Sequence, residues 1–454
     1  MKILIQVGQL LMSLSILVIL HEIGHFLFAR LFKTRVEKFY LFFNPWFSLI
    51  KIKKGETEYG IGWLPLGGYV KISGMIDESM DTEALKKPPQ PYEFRSKPAW
   101  QRLLIMLGGV LVNLVLAFVI YSLTLYTWGE KYLPNKNITD GIWVADSVMY
   151  QSGLRTGDKI ISINGNTPED FADVVVEMFY GGKVVVNRGG KDTTFEWPKD
   201  FAGRLVDNNV HKKGFLIYPR IPFIINTILD DSPNKNSGLK PRDKIIAVNN
   251  YPIKYVDEFT LSADSLKGRN VPFTILRDGN KKDLLLSIDA KGKLGVSYGL
   301  ITYDQLEKLG YYKFNSKKYG FFESIPAGFH RAKESLSSYI RQFKLIFNFK
   351  TGAYKGVGGV GAISGLFPPV WDWQTFWGIT AFLSIMLAFI NVLPIPALDG
   401  GHVAFLGFEM VTGRKPSDKF LEYAQIVGMI IILFLVVFSN GNDLYRWILR
   451  MMGN

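Results

Sequence analysis

Ile16-Leu17-Val18-Ile19-Leu20-His21-Glu22-Ile23-Gly24-His25-Phe26-Leu27-Phe28 sets three ionisable side chains inside an apolar run. The run extends over about residues 3–32, enough for a helix to cross ~30 Å of hydrocarbon. On that helix His21 and His25, four apart, share one face and can reach a single ion. Glu22 sits one step round, placed to activate a bound water. Zinc suits this pattern: it takes nitrogen and oxygen ligands, keeps an open position and acidifies its water. The plainer reading is a charged helix end paired with lipid or a neighbouring helix. Depth argues against it, because ionisable groups inside a membrane are costly unless paired, hydrated or metal-bound. No recognisable cleavage site follows the run, so it reads as a retained span rather than a signal peptide.

Outward from this motif, three further apolar stretches read as membrane helices, at about 103–128, 376–393 and 423–438. The third is broken by Pro394 and Pro396, and unwound backbone at membrane depth persists only where protein or a wet cavity satisfies it. The expected fold is thus a polytopic α-helical membrane protein with four spans. Lys33, Arg35, Lys38, Lys97, Arg102, Arg414, Lys415 and Lys419 flank the spans on one side, which the positive-inside rule assigns to the cytoplasm. Glu56, Glu58, Asp77, Glu78, Asp81 and Glu83 share the first loop but count little in that rule. Both termini and the stretch 129–374 then lie outside.

The net charge of +13 comes from scattered Lys and Arg. No face joins them to aromatics as a nucleic-acid surface would, so no nucleic-acid partner is expected, and the cations flanking apolar runs point to membrane lipids. The absence of cysteine removes disulfides and thiolate ligands, leaving a metal only His and carboxylates. Neither a Ser-His-Asp arrangement nor a phosphate-binding glycine loop stands out.

Ser152-Gly-Leu-Arg-Thr-Gly-Asp-Lys-Ile-Ile-Ser-Ile-Asn164 returns as Ser237-Gly-Leu-Lys-Pro-Arg-Asp-Lys-Ile-Ile-Ala-Val-Asn249. This turn-strand-turn pattern resembles the most recognisable stretch of a PDZ domain, which implies two α+β copies, at 138–218 and 220–297. The alternative is two generic β-rich domains. PDZ-like domains bind peptide ends by adding a strand to a sheet edge. Within 321–375, a basic amphipathic helix with Phe322, Ile325, Phe329, Leu336, Ile340, Phe343 and Phe347 precedes a Gly-rich connection. Such a helix can lie in the membrane interface or pack on the second repeat domain. In the loop at 33–102, strands around Lys54-Gly55-Glu56 read as a hairpin, and Gly67 and Gly68 would let another backbone come close.

A catalytic zinc needs a third protein ligand. Asn391-Val-Leu-Pro-Ile-Pro-Ala-Leu-Asp399-Gly-Gly401 places a carboxylate at the broken end of the third span, ahead of a loop expected over 398–421 and a fourth span at 422–440. Asp399 reads equally as a ligand or as the N-cap of a helix starting at His402. His402 is a rival ligand by type, and Glu409 would be the ligand in a zinc protease working at the membrane surface. An inactive scaffold using the repeats to bind partners is the remaining alternative.

His21-Glu-Ile-Gly-His25 in a first span, paired repeats after the second and the LDGG motif after the third together resemble the site-2 protease family of intramembrane zinc metalloproteases, over essentially the whole chain. The resemblance implies one zinc held by His21, His25 and Asp399, with Glu22 as general base. It also implies that Asn391, Pro394 and Pro396 hold an unwound substrate, and that Gly67 and Gly68 belong to a membrane-associated β-hairpin meeting substrate. Substrates would be single-pass membrane proteins, such as an anti-sigma factor or leftover signal peptides. The location would be the bacterial inner membrane, with the PDZ pair outside and the active site near the cytoplasmic face. Val110, where the family usually has proline, and Val360, where Gly-Gly-Pro is usual, depart from the pattern.

Overall fold

The structure, a computed structural model, describes residues 2–65, 67–75, 88–209, 216–297, 306–307 and 310–452. The acidic residues at 77–83 and the end of the expected first repeat domain, 210–215, lie outside the described residues. The chain forms two compact units: Met1–Glu130 with Lys317–Asn348 and Tyr354–Asn454, and Lys131–Ser316 with Phe349–Ala353.

In the first unit the long helices are α1 (Lys2–Leu31), α2 (Ala99–Trp128), α3 (Phe321–Phe347), α4 (Trp373–Val392), α5 (Asp399–Thr412) and α6 (Asp418–Met452). Among the described residues α1, α2, α4 and α6 are long and apolar enough to span a bilayer, with mean hydropathies of 2.3, 2.8, 1.8 and 2.4. Their outward side chains, such as Val115, Ile430 and Phe434, are exposed and apolar, as a hydrocarbon solvent requires. α1 and α2 meet backbone to backbone: a β-carbon at Gly24 would lie 2.3 Å from the Gly108 carbonyl oxygen. Small residues allow such an approach where the lipid supplies no hydrophobic drive between helices. Val110 is buried within an unbroken α2, so the missing proline costs the helix nothing. Along α1, the His21–His25 segment lies between two apolar clusters. Leu10, Leu17, Phe376 and Leu383 belong to one, and Ala29, Val36, Ile105 and Leu406 to the other.

The expected loop at 398–421 instead holds α5, whose Leu406 joins the second cluster. Gly400 and Gly401 had pointed to a turn, but they serve close packing. β-carbons there would lie 2.1 Å from Leu393 O and 2.6 Å from Pro396 Cα. α6 runs past the expected end at 440 because its last turns clasp the Gly-rich connection. Asp443 accepts from the Gly359 and Ala362 amides, and Asn442 donates to the Lys355 and Val357 carbonyls. A short helix, Val360–Ser364, starts at that clasp. α3 packs within the first unit. Its Gly328 presses on Ser122 of α2, and its Tyr339 and Phe343 rings meet Phe389 of α4.

Between α1 and α2 lies a sheet of β1 (Val36–Leu41), β2 (Ile50–Lys54), β3 (Thr57–Ile61) and β4 (Tyr69–Ile72), in the order β2-β3-β1-β4. β2 and β3 form the expected hairpin, turning at Gly55 with φ +64°. β1 pairs parallel with β3 and antiparallel with β4. That order leaves β4 as an edge strand beside α1. A β-carbon at Gly68 would come 2.9 Å from Val18 Cγ1 and 3.5 Å from Glu22 Cγ.

In the second unit the sequence repeat is also a structural repeat. Strand Lys159–Ile163 heads a three-stranded sheet, and Lys244–Val248 pairs with Asn270–Arg277 in a four-stranded one. Asp158 and Asp243, at matching repeat positions, are buried and each accepts two hydrogen bonds from one guanidinium, of Arg188 and Arg277 respectively. The same two arginines also donate to the Gly153 and Gly238 carbonyls of the repeat's Gly-Leu turn.

Candidate metal centre

α1 carries His21 and His25 one turn apart, with their Nε2 atoms 3.3 Å from each other. The first residue of α5 brings Asp399 Oδ2 to 3.2 Å from His21 Nε2 and 3.3 Å from His25 Nε2. The N-cap of α5 is Leu398, so Asp399 is not the cap of a helix starting at His402. Among the described residues this is the only cluster of three such groups able to share a metal ion. The near-equilateral triangle carries chemical meaning. A tetrahedral ion with ligands at ~2.0–2.1 Å separates neighbouring ligand atoms by roughly 3.3 Å. Oδ2 of Asp399 is buried and accepts no hydrogen bond despite its two ring neighbours, an orphaned acceptor that a shared cation would satisfy. The donor set fits zinc.

Helix α2 orients both rings. His25 Nδ1 lies 2.9 Å from the Ile105 carbonyl. A carbonyl only accepts, so Nδ1 carries the proton and Nε2 keeps its lone pair. His21 Nδ1 lies 3.1 Å from the Asn113 side-chain amide. With the amide nitrogen toward the ring, the His21 proton would move to Nε2 and block a metal. With Oδ1 toward the ring, Nδ1–H donates and Nε2 is free, and a metal requires this second arrangement. Asn113 was not among the site residues expected from sequence. Its signal was a lone amide in the middle of an apolar span.

The motif opens onto a cavity of about 820 Å³. Glu22, Gly67, Gly68, Asn391 and His402 line it. The Glu22 carboxylate lies beside the Val70 backbone amide of β4. Asn391 Nδ2, from the last turn of α4, is 3.5 Å from His21 Nε2. Pro394 and Pro396 are not in this wall. Pro396 is instead packed against Gly428 of α6, where a β-carbon would overlap its carbonyl. Directly after Pro396 the chain turns at Ala397, whose φ of +76° is strained for a residue with a β-carbon. Gln425 of α6 accepts from the Ala397 amide at 3.1 Å and holds that turn. Glu409 is engaged elsewhere, in a partly buried pair with Arg102 of α2, and His402 does not join the three convergent groups.

The sequence profile of peptidase family M50 matches residues 9–435. The chain belongs to this family. The Regulator of sigma E protease of Haemophilus influenzae is 26% identical over 475 residues, spanning 98% of this chain and 100% of that protein. Protease RseP of Yersinia pestis is 25% identical over 470 residues with the same coverage, and a putative zinc metalloprotease of Thermotoga maritima is 26% identical over 506 residues, covering 96% and 98%. This M50 peptidase is a zinc-dependent membrane protease, which removes the inactive-scaffold alternative.

Proposed function

We propose that the protein hydrolyses peptide bonds in or near transmembrane segments of single-pass membrane proteins, with His21, His25 and Asp399 holding one zinc and Glu22 as general base. The triangle of 3.2–3.3 Å between the three donor atoms carries this reading, since it joins a helix long and apolar enough to span a membrane to a carboxylate from a second helix. Zinc there supplies Lewis acidity toward the scissile carbonyl and a water that deprotonates near neutral pH. Glu22, one step round α1 from the ligands, takes the proton from the attacking water and returns it to the leaving amine.

A helical substrate hides its peptide bonds in its own hydrogen bonds and must unwind first. β4, an edge strand among the described residues, with Gly67 and Gly68 just before it, would offer replacement partners along the same cavity, and Asn391 stands at the ligand triangle for the exposed carbonyl. Pro394 and Pro396 act from behind this wall by fixing the turn that aims Asp399. The two repeats, read as PDZ domains facing outside, serve as a filter for bulky outer domains or as a dock for peptide ends. The name of the Haemophilus relative points toward membrane-anchored regulators of sigma factors as substrates, and signal-peptide remnants have the same single-span chemistry.

The test is a pair of variants. Glu22→Gln should retain about one zinc per chain and lose cleavage, trapping single-span proteins that can be identified by mass spectrometry. Asp399→Ala should lose the metal. Full cleavage by Glu22→Gln, or undiminished zinc in Asp399→Ala, would refute the assignment.

A further inference from the structure

A second cavity, of about 270 Å³, opens where α1 ends, walled by Arg30, Lys33, Thr34, Arg35, Glu56 and Tyr92. It sets three cations against one carboxylate, and among the described residues no ion pair links Glu56 to any of them. The helix end explains part of this. Lys33 takes a left-handed φ of +54°, the Thr34 amide closes on Ala29 O, and basic side chains suit the carbonyl end of a helix. Charge at a helix end would be served equally by side chains fanned into water. Here the Arg35 guanidinium is folded inward over the Tyr92 ring, 5.6 Å from its centroid, and the Arg35 amide is tied to Tyr92 O. Its Nε is buried without a partner, as is the Thr34 hydroxyl, whose residue is 1% exposed. Those two atoms are sealed from the cavity, and it is the charged ends of Arg30, Lys33 and Arg35 that wall it among the described residues. Such a set of cations matches a phosphate, which guanidinium groups grip with paired hydrogen bonds.

We propose that this cavity binds the headgroup phosphate of an anionic membrane lipid. The surroundings select a lipid over free phosphate. Arg30 belongs to the last turn of a membrane-length apolar helix, and its neighbours Leu27 and Leu31 are 55% and 68% exposed. They offer an acyl chain a surface leading away from the cationic mouth. Trp100, half exposed, packs edge-on against Phe32 just past the end of α1 with ring centroids 5.3 Å apart, and Tyr92 of the cavity wall is itself partly exposed. Such aromatics mark the headgroup zone of a bilayer. The volume falls just below the ~300–1,000 Å³ of sites that enclose whole small ligands, which fits a headgroup held inside and chains left outside.

The experiment uses the zinc-loaded full chain in detergent, with lipid occupancy read by native mass spectrometry against added dioleoyl-phosphatidylglycerol. Preference over dioleoyl-phosphatidylcholine is expected, with a loss of about tenfold in the Arg30→Gln/Arg35→Gln variant at unchanged zinc content and melting temperature. Inorganic phosphate at equal concentration should leave the lipid bound. Displacement by phosphate would overturn the lipid assignment in favour of a soluble anion. An equal loss in Lys51→Gln/Lys53→Gln, on the exposed strand β2, would overturn it in favour of diffuse charge. Should the double variant fail to fold, Arg30→Gln alone, an exposed side chain, is expected to weaken binding severalfold, and undiminished occupancy there would sink the proposal.

Discussion

Asn113 sits in the middle of α2, fully buried, with its amide against His21 Nδ1. Its backbone carbonyl accepts from Ser384 of α4, so the residue is held in place whatever its side chain does. Hydrogen-bond partners behind a ligating imidazole fix its tautomer, and losing one typically costs 10–100-fold in metal affinity. We therefore expect Asn113→Ala to weaken zinc binding by about that factor, read by competition with a chromophoric chelator. Asn113→Asp supplies an oxygen that only accepts, and should recover most of the affinity. A merely space-filling role would leave the two substitutions alike, and unchanged affinity in Asn113→Ala would remove the residue from the site. At this scale the sequence was uneven. His21, Glu22 and His25 stand out by spacing, whereas Asp399 reads equally as a ligand or a helix cap and enters the expected site only through the family resemblance. Asn113 has no partner within its own helix, so nothing in the local sequence tells an amide aimed at a ring from one packed between helices.

Between elements, the contact of α1 with α2 is where packing and chemistry meet. Gly24 and Gly108 bring the backbones together, and Gly109 lies directly under the motif. A β-carbon there would stand 2.5 Å from both His21 Cε1 and His25 Nε2. Gly109→Ala poses two effects against each other. In a helix interior alanine is favoured over glycine by up to ~1 kcal/mol, so helix content should not fall, although crowding the rings costs about 1–3 kcal/mol of packing. The rings, however, must move off the shared point, and zinc affinity should drop at least about tenfold. Full zinc occupancy under chelator challenge, with circular dichroism unchanged, would show that the rings have room the geometry denies them. The four spans were legible because each is a local run of apolar residues. α5 was legible only in part: a helix from His402 was one of two readings, but its two leading glycines carry the ordinary signal of a turn, and the packing of Leu393–Pro396 against them makes them part of the helix. β1 was missed for another reason. It pairs in parallel with β3, a contact set by tertiary structure, and its own residues show only partial alternation.

Across the whole chain, the second unit is an insertion. Its main segment leaves the first at Glu130 and returns at Lys317, with the short segment Phe349–Ala353 also belonging to it. The ends of the main segment are neighbours within the first unit: a β-carbon at Gly129 would lie 2.6 Å from Lys317 O. Insertions with adjoining ends can be removed without opening the parent fold. The ligand triangle, the β4 edge and the cavity all belong to the first unit, so its chemistry needs no residue from the insertion. Replacing 131–316 with a short Gly-Ser linker should leave zinc binding intact, which serves as the control for folding. If the repeats filter substrates, the shortened protein should cleave single-span proteins carrying a bulky folded outer domain that the full chain refuses, while short-tailed substrates are cut by both. Equal discrimination by the two proteins, measured on one substrate series in the same detergent, would place selectivity in the membrane unit. Faster cleavage of every substrate alike would mean that the insertion restrains turnover without sorting. Only a change confined to the bulky members of the series distinguishes a filter from a brake.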